Sequence, residues 1–382
     1  MLSTSDKCTI EFDDRGICNY CREFEINWAR LPHSEEARRE LLASTVEKIR
    51  QTGKDRAYDC ILGVSGGVDS TYMAYVAHQL ELRPLVVHFD NGWNSETAVQ
   101  NVENLVNRLG FDLETFVIDW EEFREMQLAY LRASVIDIEV LTDHAIFGTL
   151  FQMAIDRRIP FVLSGSNLAT EGILPGDWVF NKRDHRNIAA IYKAFGNGRL
   201  RSYPLLTRRK KRRIARAGIE VIEILDIVAY DKAEAKSVIQ RELGWRDYGG
   251  KHYESVWTRF YQGYILPKKF GIDKRKAHLS TLINSGQITR DEALAELKEP
   301  IYPPELFVKD YAFVCKKLGL TEETFRAIME QPPRSHHDFP TEGSLFHEIP
   351  QLAPLRPSWE WLKRRTGIDR NRLRRIVGSF AG

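Results

Sequence analysis

The chain has 382 residues, 43% of them hydrophobic, with a formal net charge of +2 and five cysteines. That is enough apolar material for two or three domains, too little net charge for wholesale nucleic-acid binding, and too few cysteines for a disulfide scaffold. No apolar run is long enough to span a membrane, and the opening Met1-Leu2-Ser3-Thr4-Ser5-Asp6 lacks the basic and apolar regions of a secretion signal, so a soluble, cytoplasmic protein is expected.

Residues 1–57 form a first segment, with the pair Cys18-Asn19-Tyr20-Cys21 followed by a charged amphipathic helix over roughly Ser34 to Gln51. From Tyr58 strands alternate with helices, which predicts an α/β domain over 58–245, a parallel sheet with helices on both faces. Asp59 to Val64, Pro84 to Phe89, Leu113 to Ile118 and Pro160 to Ser164 are its predicted strands. Near Trp245 the texture shifts to aromatic and basic residues at helical spacing without clear strands, so 246–382 is expected to be a mainly helical region. The tail after Gln331 holds many prolines, His336 and His337, and is expected to wrap the surface before a last helix from Trp359 to Val377.

The chemistry is concentrated after the first strand, in Ser65-Gly66-Gly67-Val68-Asp69-Ser70. Glycines let a backbone approach phosphate closely, and the N–H groups at a helix start present donors and the positive end of the dipole. The hydroxyls of Ser65 and Ser70 add further donors. Asp69 would be repelled by phosphate unless Mg²⁺ stood between them, so it is the expected magnesium ligand. The loop lacks the Lys-Ser/Thr pair of a Walker sequence. It resembles instead the PP-loop of the ATP pyrophosphatases, which include asparagine and GMP synthetases and the tRNA-thiolating enzymes. The resemblance implies ATP cleaved between its α and β phosphates, with AMP passed to a carbonyl oxygen. Two other strand ends should meet this loop, since ligands of open α/β sheets sit at the carboxyl ends of strands. One carries His88 and Asp90, the other Gly165 and Asn167, and all four join the candidate ATP-binding residues.

Downstream, cations alternate with aromatics from Glu242 to Ser280. Lys251, His252, Arg259, Lys268, Lys269, Lys274 and Arg275 are candidates for holding an anionic ligand with rings, such as a nucleoside diphosphate sugar. A solvated basic helix with aromatic core contacts is the alternative. The strings GWRDYGGKHYES, TRFYQGYILPKKFGIDKRKAHLS and SGQITRDEAL, with DIEVLTDHAI and SGSNLATEG upstream, closely resemble the N-acetyl sugar amidotransferases of bacterial surface-polysaccharide biosynthesis. That resemblance implies an acetamido group of a sugar, UDP-linked in the expected case, converted to acetamidino through an O-adenylylated intermediate. The ammonia would come from a separate glutaminase subunit, and lipopolysaccharide O-antigen is the expected destination. Asp137, Glu139, Asp143 and His144 are expected on one helix. Glu139 and Asp143, four apart, share a face there and join Asp69 as catalytic candidates that could hold hydroxyls, accept a proton from ammonia or bind Mg²⁺. The runner-up is a tRNA-thiolating enzyme, for which the basic run 208–213 could contact nucleic acid, although nearly neutral charge makes a nucleic-acid partner unexpected. A non-catalytic nucleotide-binding subunit is a third reading.

Cys18 and Cys21 have the spacing of half a four-thiolate zinc site. The resembled family has an earlier CxxC, about where this chain opens at Met1. Three outcomes stay open: an upstream start, completion by Cys8 and a distant histidine, or no Zn²⁺. Cys60 and Cys315 read as ordinary apolar residues.

Overall fold

The structure is a computed structural model and describes residues 1–250 and 253–342. Lys251, His252 and the expected last helix lie outside the described residues. The N-terminal segment contributes α1 (Asn19–Trp28) and α2 (Glu35–Gly53), the latter capped by the Ser34 hydroxyl, which accepts from Ala37 N at 3.1 Å. There follow β1 (Cys60–Val64), α3 (Val68–Gln79), β2 (Pro84–Asp90), α4 (Glu96–Leu109), β3 (Asp112–Val117), α5 (Trp120–Ala133), α6 (Val140–Asp156) and β4 (Phe161–Leu163). The α/β part closes with α7 (Leu168–Glu171), α8 (His185–Phe195), α9 (Arg208–Ala217), β5 (Glu220–Ile222) and α10 (Lys232–Leu243).

The strands pair in parallel in the order β3-β2-β1-β4-β5. Strand β1, Cys-Ile-Leu-Gly-Val, is central and buried, as a continuous apolar run in a doubly covered sheet should be. Strand order runs outward one way from β1 through β2 and β3, then resumes on the other side with β4 and β5. The switch point therefore lies between β1 and β4, where the crevice for a ligand is expected. Strand β5 was not among the predicted strands. Its three residues, which follow the helix carrying the basic run, are too few to show a period.

The C-terminal region is helical: α11 (Val256–Phe260) runs into a π-helical segment, Tyr261–Phe270, followed by α12 (Arg275–Asn284), α13 (Arg290–Lys298), α14 (Pro304–Leu318) and α15 (Glu322–Glu330). It shares a core with the α/β part, because Trp257, Phe260 and Tyr261 pack in one cluster with Trp93, Phe123 and Tyr130. A backbone bridge joins Asn94 to Ser255, with Ser95 N donating to Glu254 O at 2.8 Å and Val256 N to Trp93 O at 2.9 Å. The described residues after Gln331 run largely exposed over the surface, as expected, and are pinned by His336, which is buried and stacks on Phe180 with ring centroids 4.3 Å apart. Among the described residues no helix is long and apolar enough to cross a membrane.

Candidate active site

Helix α3 begins immediately after the glycine loop, with Gly67 as N-cap and no side chain capping it. Its first-turn N–H groups therefore lack intrahelical acceptors and face the loop. Gly66 has φ +80°, and a Cβ there would stand 2.4 Å from Ala98 O, so only glycine fits between the loop and α4. The same Gly66 carbonyl accepts from Trp245 Nε1 at 2.9 Å, which anchors the loop from behind. Ser70 Oγ lies 3.3 Å from Ser65 N and 3.4 Å from Ser65 Oγ, so the two hydroxyls sit side by side. Across the switch point, a Cβ on Gly165 would reach Ser70 N at 3.3 Å, which brings the loop after β4 directly against the glycine loop.

Two connected hollows open here. The smaller, about 470 Å³, is lined by Ser65, Gly67, Asp69 and Ser70, with Lys232, Lys236, Tyr248 and Glu254 on its other walls. The larger, about 870 Å³, shares Ser65, Ser70, Gly165 and Glu254 and extends beneath α6 and the π-helical segment. Its size is that of a site for a drug-sized or larger ligand. Glu139, Asp143, Lys182, Arg259, Lys274 and Arg275 line it.

These charged groups are interlocked. Lys182 Nζ lies 2.7 Å from Asp137 and 3.0 Å from Asp143, and Lys274 Nζ lies 3.2 Å from Glu139, which also accepts from Gln262 at 3.0 Å. Burial disfavours the Lys182 ammonium, but Asp143, Asp137 and Glu139 outweigh it and hold the group above the usual lysine range. The three carboxylates differ in access: the Asp143 side chain is 41% exposed, Glu139 11% and Asp137 2%. Only Asp143 offers a carboxylate that a ligand can readily reach. The helix expected to carry all four residues starts at Val140, with Glu139 as its N-cap, so Asp137 precedes it. His144 faces inward, with Nδ1 on Lys182 O at 2.8 Å and Nε2 accepting from Leu206 N at 2.8 Å, and burial lowers its pKa to about 4.

The other candidates divide. Arg259 is held by Asp310 at 2.5 and 2.8 Å, and Arg275 by Asp273 at 2.9 Å, each at the cavity wall. Lys268 and Lys269 are not at that wall, and Lys269 Nζ reaches back to Ile328 O. His88 is buried, its ring lying 3.0 Å from Val64 O and 3.1 Å from Asn94 Nδ2. Asp90 accepts from Gly92 N at 2.8 Å, and Asn167 caps α7 by accepting from Thr170 N at 2.9 Å. Residues 208–213 line neither hollow. Lys182 and Lys232 line the hollows and the Tyr230 hydroxyl donates to Asp69; none was singled out from sequence, since each reaches the site only through folding.

A divalent cation suits the smaller hollow, where Asp69 and Glu254 offer the hard oxygen donors that Mg²⁺ prefers beside phosphate. Among the described residues the donors around Cys18 and Cys21 do not make up a zinc set. Cys18 and Cys21 lie 3.4 Å apart, sulfur to sulfur, and no group of three or more His, Cys, Asp or Glu able to hold a metal occurs among the described residues. Cys60 and Cys315 are buried, and burial raises both thiols, Cys315 to about 11.

Comparison with known proteins adds two family matches. Residues 40–137 match a model described as NAD synthase, and residues 254–352 one described as LPS biosynthesis protein WbpG-like, C-terminal domain. The uncharacterized protein MJ1599 of Methanocaldococcus jannaschii is 21% identical over 313 residues, spanning 80% of this chain and 94% of that protein. Among solved structures, NMN synthetase from Francisella tularensis is 15% identical with a TM-score of 0.35, covering 69% of this chain and 97% of that one. NH3-dependent NAD synthetase from Campylobacter jejuni, in complex with nitrate ion, is 13% identical with a TM-score of 0.31, covering 78% and 98%. The parallel sheet and its glycine loop form a PP-loop fold, and the C-terminal match links the chain to polysaccharide biosynthesis.

Proposed function

We propose that this chain is an ATP-dependent amidotransferase that converts the acetamido group of a nucleotide-linked sugar into an acetamidino group. Ammonia comes from a separate glutaminase protein, and the product serves lipopolysaccharide O-antigen or a related surface glycan. The observation that carries the reading is the junction of the two hollows at Ser65, Ser70 and Gly165. A nucleotide whose β and γ phosphates rest on the glycine loop turns its α phosphorus toward the larger cavity, where an acid–base cluster waits at the wall.

The residues act in sequence. The Ser65 and Ser70 hydroxyls and the first N–H groups of α3 bind the outgoing pyrophosphate, with Lys232 and Lys236 on the facing wall as counter-charges. Asp69 would hold Mg²⁺ against the phosphates, which supplies charge neutralisation there. Arg259, Lys274 and Arg275 orient the sugar nucleotide. The acetamido oxygen attacks the α phosphorus and pyrophosphate leaves. Ammonia then adds to the activated carbon, Asp143 takes up its proton, and AMP departs carrying the former acetamido oxygen. The need for activation is electronic, because amide nitrogen donates into the carbonyl and makes it a poor electrophile.

The balance gives a direct test. Nucleotide sugars with an ¹⁸O-labelled acetamido group are incubated with the protein, ATP, Mg²⁺ and ammonium salt, and the products are weighed by mass spectrometry. The expected result is label in AMP and a sugar product about one mass unit lighter than unlabelled substrate, with fragmentation locating the change at the N-acyl group. ADP and phosphate as products, or AMP without label, refutes the mechanism.

A further inference from the structure

We infer that Tyr230 is a positioning residue for Asp69, fixing one carboxylate oxygen so that the other is aimed at the cation on the phosphates. The inference rests on the nucleotide-binding part of the function proposed above. The Tyr230 hydroxyl donates to Asp69 Oδ1 from 161 residues away in sequence. The ring is buried, 8% exposed, and packs at a tilt against Tyr72 with centroids 5.6 Å apart, so the phenol is not free to swing. Tyr72 sits on α3 itself, one turn beyond Asp69. The phenol is therefore braced against the helix whose first turn carries the carboxylate.

The backbone around Tyr230 is fixed by the C-terminal region. Gln287 Nε2 donates to Tyr230 O at 3.4 Å, and Lys232 N donates to Gln287 Oε1 at 3.1 Å. Gln287 lies in the turn between α12 and α13, and α12 carries Arg275 and His278 at the larger cavity. One side chain thus links the wall of that cavity to the group that aims Asp69. A carboxylate in a helix first turn ordinarily samples several rotamers, so a single fixed phenol donor removes freedom that a metal–phosphate pair would otherwise have to freeze.

The test compares the unaltered full chain with Tyr230→Phe, which removes the hydroxyl and keeps the ring against Tyr72. Mn²⁺ is titrated in the presence of α,β-methylene-ATP, with free Mn²⁺ followed by electron paramagnetic resonance. Binding of the analogue alone is measured in EDTA, and thermal midpoints are recorded for both chains. The expected result is Mn²⁺ affinity about tenfold weaker in Tyr230→Phe, with metal-free analogue binding within about twofold and the thermal midpoint nearly unchanged. Equal Mn²⁺ affinity in the two chains overturns the inference, as does an equal loss in metal-free binding, which would mark Tyr230 as a purely structural support of the loop. Gln287→Ala supplies an independent variant and should weaken Mn²⁺ affinity in the same direction by a smaller factor; no change there overturns the link to the C-terminal region. None of these readings needs a sugar, so a chain that binds the metal–nucleotide pair yet amidates no sugar defeats the proposed function and leaves the Tyr230 result standing.

Discussion

Asp143 carries the heaviest chemical assignment of any single residue, and its surroundings limit what it can do. It shares Lys182 with Asp137, but Asp137 is sealed in and also accepts from Phe180 N at 2.8 Å, so of these two Asp143 alone faces the cavity. Asp143→Asn keeps the size and one acceptor and removes the proton-accepting capacity. Ammonia-dependent turnover should fall by about 10²–10⁴, the usual contribution of a positioned base. Sugar-dependent exchange of labelled pyrophosphate into ATP, which reports adenylylation alone, should survive. Both chains should speed up alike as pH rises and more of the ammonium is present as ammonia, so the deficit should persist. Loss of the exchange reaction would move Asp143 out of the nitrogen step and into nucleotide or sugar binding.

Among the elements, the glycine loop and α4 depend on each other most closely. Ala98 on α4 approaches Gly66 so nearly that a methyl group would overlap its carbonyl, and the loop's φ of +80° is one that L side chains rarely adopt. Gly66→Ala therefore meets a backbone clash and a conformational cost together, about 1–3 kcal/mol for the second alone. The measurable consequence is a drop in the urea midpoint accompanied by loss of ATP binding. Gly110→Ala is a useful contrast: its φ is +66°, but nothing lies within 4 Å of the added methyl, so a smaller destabilisation with ATP binding intact is expected. The π-helical segment shows how an element's type redistributes function. A cation-rich string reads from sequence as one binding surface, yet its winding leaves Gln262 at Glu139 and sends Lys269 to the end of α15. π-Helical turns are often found at functional sites, and here the segment forms part of the cavity roof.

For the molecule as a whole, two buried histidines make stability depend on pH. Burial, reinforced by nearby positive charge, lowers His144 to about 4 and His336 to about 3. Both are neutral in the fold and would take up a proton in the unfolded chain below about pH 6.5. Their contribution is fully present above that value and is lost progressively as pH falls toward the folded pKa values. Urea midpoints should therefore be flat from pH 8 to 7 and fall steadily from 6.5 to 4. His336→Asn, which can still accept a hydrogen bond near Asp137 N, should reduce that slope. An unchanged slope would assign the acid sensitivity to other groups.

The sequence by itself determined what depends on local chemistry. An apolar strand followed by SGGVDS specifies a strand–glycine loop–helix, because glycine content and helix-start geometry act within a few residues. The first four strands fall within a residue or two of their predicted places, since buried parallel strands must be continuous apolar runs. Burial of Cys60 followed for the same reason. Tertiary structure alone decided which distant side chains meet: Lys182 between Asp137 and Asp143, Tyr230 on Asp69, Trp245 behind Gly66, and Gln287 beneath Tyr230. It also turned His88, Asp90 and Asn167 toward protein partners. Pairings of this kind depend on how helices cross and where a π-helical segment turns, and no periodicity within one segment records the approach of another.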